Sequence, residues 1–154
     1  MMKLCSEVLS ALAGKTLVTA ESLTGGGIGT ALTAISGSSS VYKGGIISYT
    51  NEVKHNLLGV SQKGLEQFGA VSEPVARAMA EGVRRVLAAD VAVSVTGLAG
   101  PGGDEYGNPV GTVFIGYCDA EKTLVKHCLF EGDREAVRRQ TVSTALMLVL
   151  ENQK

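Results

Sequence analysis

The sequence has no tryptophan, and aromatic residues make up 5% of its 154 residues. Proteins that bind single-stranded nucleic acid rely on aromatic side chains on which bases stack, so this scarcity argues against such a surface. The chain also lacks an excess of either charge, because 14 lysines and arginines are balanced by 15 aspartates and glutamates. We therefore expect neither a nucleic-acid partner nor an anionic membrane surface.

Cysteine and histidine are few, and their spacing excludes two further classes of protein. The three cysteines, Cys5, Cys118 and Cys128, are far apart and form no CxxC pair. This is typical of reduced thiols rather than of a disulfide framework. His55 and His127 have no acidic or sulfur neighbour at ligand spacing. We therefore expect no metal site and no cofactor.

The chain has no apolar run long enough for a signal peptide near residues 1–12 and none long enough for a membrane span. This favours a cytoplasmic protein. A hydrophobic content of 45% with 19% charged residues excludes disorder and suggests that apolar surface is buried against a partner subunit. We therefore expect a homo-oligomer, in which residues 1–154 form a single domain.

Hydrophobic periodicity predicts ten elements in the order α β α β α α β β β α. Such an alternation, ending in two strands joined by a short turn, predicts an α/β protein, a three-layer α/β/α domain with a mixed sheet. The predicted elements are helix 3–13, strand 16–20, a helix after the glycines at 25–29, strand 41–49, helix 51–58 capped by Asn51, a helix from 72–74 through Leu87, strands 91–96, 110–117 and 123–130, and a last helix capped by Asp133.

The turn at residues 19–27 (TAESLTGGG) carries Ser22 from a strand into the start of a helix. Unpaired N–H groups at a helix start stabilise an oxyanion or phosphate, and glycines allow a substrate close to the backbone. Ser22 is therefore a candidate nucleophile, and Thr24, Gly25 and Gly26 are candidates for binding substrate. The alternative is that Ser22 or Thr24 merely caps the helix.

Residues 44–54 (GGIISYTNEVK) place Tyr49 at a strand end and Lys54 about one helical turn further on. A serine hydroxyl needs a base to act as a nucleophile at neutral pH, and a lysine serves if burial lowers its pKa. Lys54 is therefore a candidate base for Ser22, and Tyr49 is a candidate proton relay. The alternative is that Lys54 is a solvated helix residue and Tyr49 a half-buried strand residue.

A glycine-rich loop at residues 96–103 (TGLAGPGG) follows the most apolar strand. Ligands of open α/β sheets bind at the carboxyl ends of strands, so we expect Thr96, Gly97 and Gly100 to contact substrate. Without a Gly-Lys-Ser/Thr sequence this loop is not a P-loop, and a flexible connector is the alternative.

The charged segment 133–139 is predicted to begin the last helix. Arginine matches phosphate geometry, so Arg134 or Arg138 is a candidate phosphate ligand, with Arg134 preferred. The alternative is an ordinary solvated helix face.

Five segments together resemble the CinA carboxy-terminal domain family, in order and over nearly the whole chain. They are residues 19–26, 45–54, 69–74, 96–103 and 132–134. The resemblance implies a nicotinamide mononucleotide deamidase, which hydrolyses the carboxamide of that nucleotide to nicotinate mononucleotide and ammonia in pyridine-nucleotide recycling. It also implies that Ser22, Tyr49 and Lys54 are the catalytic residues. Many members have a second, amino-terminal domain, which is not expected in these residues.

Two other functions fit part of the pattern. A short-chain dehydrogenase also uses Ser, Tyr and Lys, but with the Tyr and Lys four residues apart on one helix, whereas Tyr49 and Lys54 are five apart across a strand end. The glycines at 25–29 also lack the full dinucleotide fingerprint. The stronger alternative is a non-enzymatic nucleotide-binding or regulatory module, since a phosphate-binding loop does not prove chemistry.

Overall fold

A computed structural model describes all residues, 1–154, and contains five strands and six α-helices. Helices and strands alternate up to the second strand, three helices lead to the third strand, two strands then follow directly, and one long helix ends the chain. The elements are α1 Met2–Ala11, β1 Leu17–Glu21, α2 Gly27–Thr33, β2 Tyr42–Ile47, α3 Asn51–Leu58, α4 Gln62–Phe68, α5 Glu73–Val86, β3 Val91–Gly97, β4 Thr112–Cys118, β5 Thr123–Leu129 and α6 Arg134–Glu151, with a short 3-10 turn at Ser38–Ser40.

The sheet has the strand order β2-β1-β3-β4-β5. The β1 strand pairs in parallel with both β2 and β3, whereas β3–β4 and β4–β5 are antiparallel. Helices α1, α2 and α6 cover one face, and α3, α4 and α5 cover the other. The predicted α/β class, with three layers and a mixed sheet, is confirmed.

The two central strands explain where the site lies. Every residue of β1 is buried, and β3 is buried from Val91 to Thr96, because helices cover both of their faces. Since β1, β2 and β3 run in parallel, their carboxyl ends meet at one edge of the sheet. The three segments singled out in the sequence follow these three strands, so the fold brings them together there.

Two local predictions were wrong. Helix α4 was not predicted, because it is short, has Gly64 near its middle and buries only Leu65; it begins where Ser61 Oγ accepts a hydrogen bond from Gly64 N at 2.8 Å. The cap of α3 is Thr50, not Asn51, because Thr50 Oγ1 accepts from the backbone N–H three residues on. No helix has the length and hydropathy needed to cross a membrane.

Helix α3 lies close against α5, and Gly82 of α5 makes this approach possible. A side chain at Gly82 would collide with the carbonyl oxygen of Leu58, the last residue of α3. This packing holds α3 against the sheet, and α3 carries Lys54 into the protein interior.

Candidate active site

Ser22 lies directly after β1, where the chain leaves the sheet. Its N–H donates to Val95 O at 3.1 Å, which prolongs the pairing of β1 with β3 by one residue. Its carbonyl then accepts from Gly25 N at 3.1 Å, and the left-handed φ values of Gly25 (58°) and Gly26 (105°) turn the chain into α2. The hydroxyl of Ser22, which is 7% exposed, is therefore presented at the carboxyl edge of the sheet.

Lys54 is buried beside Ser22. Its side chain is 1% exposed, and its Nζ donates to Ser22 Oγ at 3.0 Å and to the carbonyl oxygen of Tyr49 at 3.1 Å. No carboxylate pairs with Lys54, since the one salt bridge of the protein joins Arg77 and Glu73. Burial without a counterion lowers the pKa of Lys54 to about 8. The alternative of a solvated Lys54 is therefore wrong.

The phenol of Tyr49 lies apart from the Ser22–Lys54 pair. The side chain is 58% exposed, and its hydroxyl is bonded to Arg134 Nη2 at 3.4 Å, with no hydrogen bond to Ser22 or Lys54. The proton relay predicted for Tyr49 therefore has no hydrogen-bonded path in this structure. It is the main-chain carbonyl of Tyr49, rather than the phenol, that contacts Lys54.

A buried carboxylate, which the sequence interpretation did not single out, occupies the start of α2. The side chain of Glu21 is 2% exposed, and its two oxygens accept four hydrogen bonds. The donors are Thr24 Oγ1 at 2.7 Å, Ile28 N at 2.8 Å, Gly29 N at 3.0 Å and Thr19 Oγ1 at 3.3 Å. Glu21 thus satisfies two backbone N–H groups in the first turn of α2, those of Ile28 and Gly29, so these two are not open to substrate. The sequence signal that could have identified Glu21 is the position of a glutamate between an apolar strand and a glycine-rich helix start.

The N–H groups that remain open belong to the turn rather than to α2. Leu23 N, Thr24 N and Gly26 N have no acceptor within the protein, and Leu23 lines the cavity at the site. Arg138 holds this turn in place, since its Nε donates to Leu23 O at 3.0 Å and its Nη2 to Thr24 O at 3.3 Å. Arg138 therefore has a structural role here.

A cavity of about 340 Å³ opens at the carboxyl edge of the sheet. It contains all three predicted catalytic residues and four of the predicted substrate-binding ones, whereas Thr24, Gly25 and Gly26 lie outside its lining. The predicted residues in the lining are Ser22, Tyr49, Lys54, Thr96, Gly97, Gly100 and Arg134; the others are Leu23, Asn51, Ala70, Val71, Leu98, Ala99 and Gly102.

The loop after β3 and the start of α6 form one wall of this cavity. Ala99 N, Gly100 N and Gly102 N have no acceptor within the protein. Arg134 Nη1 donates to Gly100 O at 2.7 Å, so its guanidinium links the loop to Tyr49. This wall offers open N–H donors and one cation, a combination that suits an anion.

The fold and the site define a class: an α/β protein with a buried serine–lysine pair at the carboxyl ends of its parallel strands. The chain belongs to the CinA C-terminal domain family, whose sequence pattern it matches over residues 2–153. It is 50% identical over 136 residues to a CinA-like protein of Rippkaea orientalis, covering 86% of this chain. The chain spans only 33% of that relative's length.

Shorter relatives match along most of their length. The nicotinamide-nucleotide amidohydrolase PncC of Escherichia coli K12 is 44% identical over 149 residues, which cover 95% of this chain and 90% of that protein. A crystal structure of a competence-damaged protein (CinA) superfamily protein from Klebsiella pneumoniae has a TM-score of 0.96 and 35% identity, and the match covers 99% of this chain and 96% of that chain.

Proposed function

We propose that this chain hydrolyses the carboxamide of nicotinamide mononucleotide to nicotinate mononucleotide and ammonia, a reaction of pyridine-nucleotide recycling. The observation that carries the proposal is the buried contact of 3.0 Å between Lys54 Nζ and Ser22 Oγ. The name of the Escherichia coli relative supports the choice of substrate. An amide is a poor electrophile, so its hydrolysis needs an activated nucleophile, an oxyanion donor and a proton for the leaving ammonia.

The first half of the reaction forms an ester on Ser22. Neutral Lys54 takes the hydroxyl proton while Ser22 Oγ attacks the carboxamide carbon, and the developing oxyanion is stabilised by the open N–H of Leu23. The C–N bond then breaks, and Lys54 returns its proton to the departing nitrogen, which leaves as ammonia.

The second half regenerates the enzyme. Lys54, again neutral, takes a proton from a water molecule that attacks the ester carbon. Ser22 Oγ leaves with a proton from Lys54, and the carboxylic acid product loses its proton to solvent and is released as the carboxylate. This sequence needs no group other than the two side chains, the turn N–H and water.

Ammonia release from the purified protein tests this function against the non-enzymatic alternative. We expect nicotinamide mononucleotide to yield one ammonia and one nicotinate mononucleotide per substrate consumed. A protein that binds the nucleotide and releases no ammonia would be a binding module instead. NAD and nicotinamide riboside, included in the same assay, define the preference among pyridine amides.

The phosphate of the substrate is expected to contribute strongly to catalysis. Arg134 and the open N–H groups of Gly100 and Gly102 suit an anion, and binding at that point orients the amide toward Ser22. We expect kcat/KM for the riboside to be roughly 100-fold lower than for the nucleotide. Equal kcat/KM values for the nucleotide and the riboside would contradict the assignment of the phosphate to this wall. Arg134→Gln should reduce the preference for the nucleotide over the riboside while leaving Ser22 intact.

Activity is expected to survive EDTA. Ser22 is activated by an amine, so its attack requires no Lewis acid, and chelation leaves Lys54 unchanged. The measurement is kcat after dialysis against EDTA, with metal content determined before and after. Loss of a stoichiometric metal together with activity, and recovery of both on adding the metal back, would contradict the serine–lysine mechanism.

A further inference from the structure

Ser48 carries the one buried side-chain polar atom of this protein that has no hydrogen-bond partner. The residue is 0% exposed, and its Oγ contacts no donor or acceptor. Buried hydroxyls are almost always paired, because an unpaired one loses its bonds to water without replacement. An unpaired buried hydroxyl near a reactive pair is free to bind a partner that forms in another state of that pair.

Ser48 directly follows β2, and its backbone is bonded to the last residue of β1, the residue before Ser22. Ser48 N donates to Glu21 O at 2.9 Å, which continues the parallel pairing of β1 with β2 beyond the pair Glu21 and Ile47. Extending this register by one residue would set Ser22 opposite Ser48, and neighbouring strands lie about 4.8 Å apart. Side chains alternate along a strand, so a residue two positions after another is on the same face. Ala20 and Ile46 pack on the face of the sheet that α5 covers, and Ser22 and Ser48 each follow one of them by two residues.

Lys54 lacks one acceptor in its protonated form. An ammonium has three N–H groups, and two of them bind Ser22 Oγ and Tyr49 O. Once Ser22 Oγ has attacked the carboxamide carbon, this oxygen is bonded to carbon and is a weaker acceptor, so the buried Lys54 ammonium needs another partner until it protonates the departing nitrogen. The hydroxyl of Ser48 reaches new directions by rotation between its staggered χ1 positions.

We propose that Ser48 is a positioning residue for Lys54, accepting a hydrogen bond from its ammonium once Lys54 has taken the proton of Ser22. The hydroxyl then stabilises the charged lysine during the step in which ammonia leaves. This inference rests on the roles proposed above for Ser22 and Lys54. It also gives the site a third polar side chain in place of the phenol of Tyr49, which is bonded to Arg134.

The other ionisable groups around Lys54 are separate from Ser48. Tyr49 and Arg134 share the cavity with Lys54, whereas Glu21 is bonded to the start of α2. From α5, Arg85 donates to the carbonyl of Leu58 at the end of α3. A change in the titration of Lys54 on replacing Ser48 would therefore report the lost hydroxyl.

The test measures acylation of Ser22 by p-nitrophenyl acetate, which is independent of the natural substrate. Ser22 Oγ forms the acetyl ester, its proton passes to Lys54, and p-nitrophenolate leaves. An acceptor for the ammonium raises the pKa of Lys54, so Ser48→Ala should move the acid limb of the rate profile to lower pH by roughly half a unit to one unit. We expect the plateau rate to fall about three- to tenfold, with KM for the nucleotide unchanged.

Two further variants separate the effect of losing the Ser48 hydroxyl from the effect of changing the volume of a buried side chain. Ser48→Cys is close to serine in size but a poor acceptor, so it should behave like Ser48→Ala. Ser94→Ala removes another fully buried hydroxyl, which donates to Ala76 O at 2.7 Å, and should lower the melting temperature without moving the acid limb.

The proposal is overturned if Ser48→Ala and Ser48→Cys keep the acid limb of the wild type. It is also overturned if the ester does not acylate wild-type Ser22, because Ser22 would then not be activated. Acylation with the expected shift, combined with no ammonia release from the nucleotide, would support the role of Ser48 and reject the proposed substrate. Failure of the proposal for Ser48 and failure of the proposed substrate are therefore distinguishable.

Discussion

Replacing Ser22 with alanine is expected to lower kcat for nicotinamide mononucleotide by roughly three orders of magnitude or more. The change removes the only hydroxyl that accepts a hydrogen bond from Lys54 in this structure, and no covalent intermediate forms without it. The cavity wall formed by the 96–103 loop and Arg134 stays intact. We therefore expect nucleotide binding, measured by calorimetry, to change by less than about threefold.

A double variant checks that Ser22 and Lys54 act as one unit. Ser22→Ala with Lys54→Ala should cost little more than Ser22→Ala alone, because a base has no task once its nucleophile is gone. Trapping the acyl-enzyme by intact mass should succeed in the wild type and fail in both variants. Near wild-type turnover by Ser22→Ala would disprove nucleophilic catalysis by this serine.

The meeting of Ser22 and Lys54 was predictable from the sequence because local rules and topology agree there. Strand periodicity places both segments after strands, and strands joined through helices run in parallel, so their carboxyl ends share an edge. The glycines of residues 25–27 then favour a sharp turn. The glycine-rich loop at 96–103 follows the same reasoning, and the structure places it at the same edge.

The details that the sequence could not give depend on side-chain directions. The phenol of Tyr49 and the carboxylate of Glu21 were each within reach of several partners, and the packing of α2 and α6 decided among them. Glu21 accepts from the N–H groups of Ile28 and Gly29 in α2, whereas Thr24 N and Gly26 N in the turn stay open. Ser48 has no sequence signal of its own, since its significance comes from lacking a partner in a fully buried position.

Lys54 shows how the fold contributes to the chemistry. A free lysine has a pKa of 10.5 and is almost entirely protonated at neutral pH, whereas burial lowers the pKa of Lys54 to about 8. At pH 7 this difference in pKa lowers the free energy of unfolding by roughly 3 kcal/mol. Because the folded pKa is the lower one, the protein should gain stability as pH rises from about 8 to about 10.5.

Replacing Lys54 should therefore separate activity from stability. Lys54→Met is expected to lower kcat by two to three orders of magnitude, by roughly the loss seen for other catalytic bases, while raising the free energy of unfolding at pH 7 by about 1–2 kcal/mol. The gain is smaller than the full titration difference because Ser22 Oγ and Tyr49 O lose their donor. Urea denaturation measures this stability.

Lys54→Arg distinguishes a base from a mere positive charge. A guanidinium remains protonated and cannot take the proton of Ser22, so this variant should be as inactive as Lys54→Met. In the wild type, kcat/KM should rise with pH along a limb of apparent pKa about 8, which makes the value at pH 7 about a tenth of the plateau. If Lys54→Arg is fully active, or if this limb persists in Lys54→Met, Lys54 is not the base that activates Ser22.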